Sequence, residues 1–124
     1  MSGRLSLPIG IVLLCCVQAA GAHKPSVQEC REAGEFIRNA ALSRDNGMPR
    51  ERFLDKLAGD LTAIRSHPPA MRWFAQDDDD EIFLVNAVQK VFDAPMKSGE
   101  HESDMIQLCL ARIDPSFRRS SLRS

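Results

Sequence analysis

Four cysteines, Cys15, Cys16, Cys30 and Cys109, constrain this chain more than any other feature. They fall into two pairs with different fates. Cys15 and Cys16 lie near the end of an apolar stretch, Leu5–Val17, broken by Ser6, Pro8 and Gly10 and preceded by the cation of Arg4. Ala20-Gly21-Ala22 follows, a small-x-small pattern that places a peptidase cut before His23. Residues 1–22 therefore read as a cleaved secretion signal, with Ala20 and Ala22 as the small side chains that a signal peptidase admits. A spanning helix needs about 20 predominantly apolar residues. This stretch has 13, so an uncleaved anchor fits poorly. Lipid attachment fits poorly as well, because Leu14 rather than a small residue precedes the cysteine pair.

Removing 22 of the 124 residues leaves 102, with 15 basic and 17 acidic side chains and a net charge of −2. Near balance of charge argues against a nucleic-acid binder. The second pair, Cys30 and Cys109, remains, and an exported chain with two cysteines is expected to join them. One such bond would close almost the whole domain. For a loop of about 80 residues, chain-entropy reasoning gives roughly 4.5 kcal/mol of stabilisation. The mature chain holds no Cys-x-x-Cys pair, so a redox-active motif is lacking.

Between the two cysteines the apolar residues recur at helical spacing. Ser26-x-x-Glu29 is a capping-box pattern opening a helix from Val27 to about Arg44, with Cys30 on its apolar face. Asp45-Asn46-Gly47 ends it. A second helix is expected from about Pro49 to Ser66, with Phe53, Leu57, Leu61 and Ile64 as its stripe, stopped by His67-Pro68-Pro69. A short helical or irregular piece over Pro69–Gln76 carries Met71, Trp73 and Phe74. The third helix, Asp77 to Asp93, is the most apolar and is expected to touch neighbours on more than one side, with a buried strand at Ile82–Val85 as the competing reading. A fourth, about Gly99 to Ile113 with Ser98 as its cap, carries Met105, Ile106, Leu108, Cys109 and Ile113 inward. No strand-like alternation appears. The expected fold is all-α, a compact bundle of about four helices over residues 23–113, closed by one disulfide and followed by a disordered basic tail, 114–124.

Few motifs carry chemistry. Asp77-Asp78-Asp79-Asp80-Glu81 is the densest cluster, and hard carboxylate oxygens attract divalent cations. The run lacks the alternate spacing and the glycine of an EF-hand, so acids complementing a helix N-terminus are the simpler reading. His23, His67 and His101 form no close ligand pair, although a freshly exposed His23 would hold an amine beside its imidazole, a chelate that Cu²⁺ favours. Glu100-His101-Glu102 reads as a solvated surface. No nucleophile elbow or phosphate-binding glycine loop is present, so a non-enzyme without a cofactor is expected. Trp73 and Phe74, beside a break between helices, are candidate interaction residues if exposed, and core residues otherwise.

The layout of signal segment, Cys30, Arg44-Asp45-Asn46-Gly47 and Cys109-Leu110 resembles small uncharacterised exported proteins of proteobacteria. That resemblance implies a helical periplasmic protein and supplies no activity. A looser likeness, in architecture alone, is to the small acid-stress chaperones of the periplasm. The leading expectation is thus a periplasmic or secreted, non-enzymatic module that binds another envelope or secreted protein, with no stable membrane span after cleavage. An acid- or envelope-stress chaperone and a divalent-ion binder using Asp77–Glu81 are the alternatives.

Overall fold

The computed structural model describes residues 23–117, so the signal segment with Ala20 and Ala22, and tail residues 118–124, lie outside the described residues. Four α-helices occupy most of the described chain: α1 (Val27–Asp45), α2 (Arg50–Arg65), α3 (Asp78–Asp93) and α4 (Ser98–Ile113). No strand occurs among the described residues, so Ile82–Val85 belongs to a helix.

Three of the four helices start on local signals in the sequence, and α4 does not. Ser26 Oγ accepts from Glu29 N at 3.0 Å while Glu29 Oε1 accepts from Ser26 N at 2.9 Å, the reciprocal pair of a capping box. Gly47, at φ +96°, carries the chain out of α1 through a conformation that a side chain would strain. Pro49 precedes α2, where its missing N–H is no loss. Asp77 caps α3, its Oδ1 accepting from Asp80 N at 2.9 Å. At α4 the cap position falls on Lys97, with no side-chain hydrogen bond, and Ser98 is instead the first helical residue. Past α4, Asp114 accepts from the backbone N–H groups of Ser116 and Phe117, so regular backbone runs into the first residues of the segment expected to be disordered.

The bundle is organised on the α1–α4 pair, its most extensive helix contact; α3 packs on α1, and α2 packs on α3. α1 turns a face of Cys30, Ala33, Gly34, Ile37, Ala40 and Ala41 inward, almost all small, so the α4 backbone can approach closely. The approach is close at Gly34, where a Cβ atom would stand 2.5 Å from Ile106 Cγ1. Cys30 and Cys109 lie on this seam, both fully buried, and are joined across a Cα–Cα distance of 5.4 Å over 79 positions of sequence. α3 adds Leu84, Val88 and Val91 to the core, and the peripheral α2 adds Leu57 and Leu61. A chain of aromatic contacts crosses the molecule from Phe92 through Phe53, Phe36, Trp73 and Phe74 to Phe83.

Two substitutions separate the seam from the periphery. Gly34→Ala forces Ile106 to move and should lower stability by about 1–3 kcal/mol. Gly59→Ala, in exposed α2 where an added Cβ meets nothing within 4 Å, should raise it by up to about 1 kcal/mol through helix propensity. Urea denaturation of both variants reads the opposite signs, and equal signs would refute the close α1–α4 approach. Reducing the Cys30–Cys109 bond should lower the urea midpoint further, by roughly 4 kcal/mol of stability.

Candidate functional site

Groups from the start of the described chain, from the segment before α3 and from α4 converge on a single buried carboxylate. Asp80, in the first turn of α3, shares a face with Leu84, Val88 and Val91 and is 0% exposed. Its two oxygens have three partners. Arg112 Nη2 of α4 donates to Oδ1 at 2.6 Å, the Gln76 backbone N–H donates to Oδ2 at 2.9 Å, and His23 Nδ1 stands 2.8 Å from Oδ2. The Arg112 guanidinium also lies over Phe83, 4.8 Å from the ring centroid, and over Phe74 at 5.4 Å. Its cation is thus held by a carboxylate and two π faces together.

His23 is bound twice more. Its backbone N donates to Asp77 Oδ2 at 2.9 Å, and its Nε2 lies 3.6 Å from Glu29 Oε1. The first described residue therefore sits among Glu29, Asp77 and Asp80. Burial pushes the Asp77 carboxyl up, but hydrogen bonds from the His23 and Asp80 amides, with the positive charge of Arg112, outweigh burial and hold it below its ordinary value of 3.8. Glu81 is drawn below its ordinary 4.5 mainly by its hydrogen bonds to Arg65, which outweigh partial burial.

The acidic run is accordingly divided by helical geometry. Asp77 caps the helix, Asp80 points inward, Glu81 pairs with Arg65, and Asp78 and Asp79 face solvent. Among the described residues no group of three or more His, Cys, Asp or Glu side chains is arranged to hold a metal ion. Of the candidate interaction pair, Phe74 is fully buried and belongs to the core, because the ring fills the space beneath Arg112. Trp73 is half-buried, donates from Nε1 to Glu32 Oε1 at 2.9 Å and contacts Phe36 and Phe74. It has φ 55°, alone among the described non-glycine residues in the positive region, and these contacts hold it there.

A second polar node closes the opposite end. Arg44 donates to the carbonyls of Val91 at 2.7 Å and Met96 at 2.8 Å, tying the end of α1 to the turn between α3 and α4. His101, expected on a solvated surface, is 2% exposed there, with Nε2 3.2 Å from the Ala94 carbonyl oxygen. Its register explains the difference, since His101 stands one turn before Met105 and two before Cys109 on the inner face of α4.

The open apolar feature is a groove of about 320 Å³ between α2 and α3. Ala58, Leu61, Ile82 and Val85 line it, with Thr62 and Asn86 beside them and the Arg65–Glu81 ion pair at its edge. Ile82 is 56% exposed in it. No helix among the described residues is long and apolar enough to cross a membrane. Comparison with protein families, curated proteins and solved structures gives no match to this chain.

The lowered carboxyls set the sign of the pH dependence. Asp77 and Glu81 lose protons more readily in the folded than in the unfolded chain. Their stabilisation is complete above the ordinary carboxylate range and is lost as pH falls through their folded values. Urea midpoints should therefore fall steadily between about pH 5 and about pH 2. Glu81→Gln should flatten part of that slope, and an unchanged slope would remove Glu81 from the account.

Proposed function

We propose that the chain is an exported helical module, periplasmic or secreted, that acts without catalysis by binding another envelope or secreted protein. The observation that carries this reading is the apolar groove between α2 and α3, with Ile82 more than half exposed. Two helices flanking an apolar channel suit an amphipathic helix laid apolar side down, and the rim of Arg65, Glu81 and Asn86 supplies polar contacts of both signs. The N-terminal segment with its Ala20-Gly21-Ala22 cut pattern supports export, and a long-range disulfide suits an oxidising compartment. The groove replaces Trp73 and Phe74 as the place of contact, since those side chains are occupied within the fold.

The test places a photo-crosslinking residue at Ile82 and, as a control, at exposed Asp55, within intact cells. Ile82 should give a discrete adduct that Asp55 does not, and the crosslinked partner segment should map to an amphipathic helix. A synthetic peptide of that segment should bind the purified protein, with affinity falling tenfold or more on Ile82→Glu, at the exposed large apolar position of the groove, while the melting temperature holds. Equal labelling at both positions, or a partner segment without an apolar face, would defeat the reading.

A second reading, an acid-responsive chaperone, is favoured by one observation. Arg112 lies above Phe74 and Phe83, held by Asp80, and the adjoining Asp77 and Glu81 lose in acid the contacts that hold their carboxyls below the ordinary range, which would loosen the cover on two aromatic rings. Dye binding that rises as pH falls, together with suppression of client aggregation, would favour this reading; a flat dye signal to about pH 2 would dismiss it. The divalent-ion reading of Asp77–Glu81 gains nothing from the geometry, because Asp77, Asp80 and Glu81 already have protein partners.

A further inference from the structure

The contact between the His23 backbone nitrogen and Asp77 has a consequence for maturation. His23 is the residue that the Ala20-Gly21-Ala22 pattern makes the first of the processed chain. Its backbone N lies 2.9 Å from Asp77 Oδ2 and its Nδ1 2.8 Å from Asp80 Oδ2. Around it the cluster holds three carboxylates, Glu29, Asp77 and Asp80, against one permanent cation, Arg112. With the imidazole neutral, that set carries a surplus of two negative charges, and an uncut chain offers it only a neutral amide N–H.

We propose that cleavage of the Ala22–His23 bond completes this cluster, the new α-ammonium of His23 forming an ion pair with Asp77 that locks the mature fold. In the cut, water adds across the peptide bond. The hydroxyl goes to the Ala22 carbonyl carbon, the C–N bond breaks, and the nitrogen leaves with a proton as a free amine that takes up a second below its pKa. The neutral donor to Asp77 then becomes a charged one, which strengthens the hydrogen bond. One positive charge is added where the surplus is negative. The pair joins the start of the mature chain to the first turn of α3, 54 positions away, while Arg112 ties the same turn to α4. The inference rests on the exported reading, since it needs the cut before His23.

The test begins with the full precursor exported from a bacterial host and the intact mass of the product. The α-amine is then acetylated selectively on the urea-unfolded, disulfide-intact chain, near pH 6.5 where lysines remain protonated, and the product is refolded. Asp77→Asn serves as the partner variant, because asparagine keeps the α3 cap while losing the charge. In the Asp77 protein acetylation should lower the melting temperature by about 4 °C or more. In Asp77→Asn it should change little. The stabilisation should also vanish at high pH. The ammonium faces Asp77, Asp80 and Glu29 against the single cation of Arg112, so folding favours its charged form. A group raised in the folded state stabilises below its unfolded pKa, and that contribution is lost as pH rises through the folded one. Equal effects of acetylation in both proteins, or none in either, would overturn the ion pair while leaving export intact. A product whose mass starts at another residue would overturn the cut site, and the proposal with it.

Discussion

The close seam between α1 and α4 is the constraint on which the remaining structure depends. Apart from Ile37, α1 buries only small residues along it: Cys30, Ala33, Gly34, Ala40 and Ala41. Small side chains remove little apolar area each, at about 25 cal/mol per Å², so this face gains less from burial than one built of leucine. What it gains instead is proximity. The backbones come near enough for Cys30 to meet Cys109 and for the Ile106 side chain to lie where a Gly34 Cβ would stand. A domain of about 100 residues buries a smaller share of its surface than a larger one does. A crosslink closing 79 positions is thus a large share of the stability available to a seam that is thin in hydrophobic terms.

Given that seam, the larger side chains must work elsewhere. The aromatic chain from Phe92 to Phe83 draws residues from α1, α2, the Trp73–Phe74 segment and α3, so it ties to α1 the elements that the disulfide does not touch. Arg112 closes this chain from α4, and so couples the aromatic side of the molecule back to the covalent side. α2 is the least committed helix, with Leu57 and Leu61 alone buried. Its incomplete burial is the reason an apolar groove stays open beside α3.

The sequence announces the helices, their order and the disulfide, because these follow from local rules: the Ser26–Glu29 box, the Gly47 turn, the proline breaks and the 3.6-residue period. The polar interior is harder to foresee, since burial of a charge depends on partners distant in sequence. Even so, a signal exists. Asp80 precedes Leu84 by one turn, His101 precedes Met105 by one turn, and Arg112 follows Cys109 by three residues. Each continues an apolar stripe with a polar side chain, and that register separates Asp80 from Asp78 and Asp79, which composition alone treats alike. The bond of Arg44 to the carbonyls of Val91 and Met96 leaves no comparable trace, because a cation in the last turn of a helix already satisfies a local rule.

Why an ionic cluster lies at the entrance of the domain can be argued from cost. A buried carboxylate and a half-buried guanidinium both lose hydration on folding, and a hydrophobic pair of equal volume often stabilises a fold equally well. Asp80 and Arg112 therefore add little net stability by themselves. Their directionality is what an apolar pair lacks. Asp80 accepts from the start of the described chain, from the Gln76 backbone and from α4 at once, so a shift of any one of the three breaks a hydrogen bond to a buried carboxylate. Loss of the Arg112 contact in particular leaves the carboxylate without its cation, and costs more than the pair gains by forming. The cluster thus fixes register at the end of the molecule where Cys30 and Cys109 are joined, and it does so through directional ionic contacts, while the crosslink is covalent. Stability and the geometry of the chain's entry are consequently controlled by two separate chemistries acting on one end of the bundle.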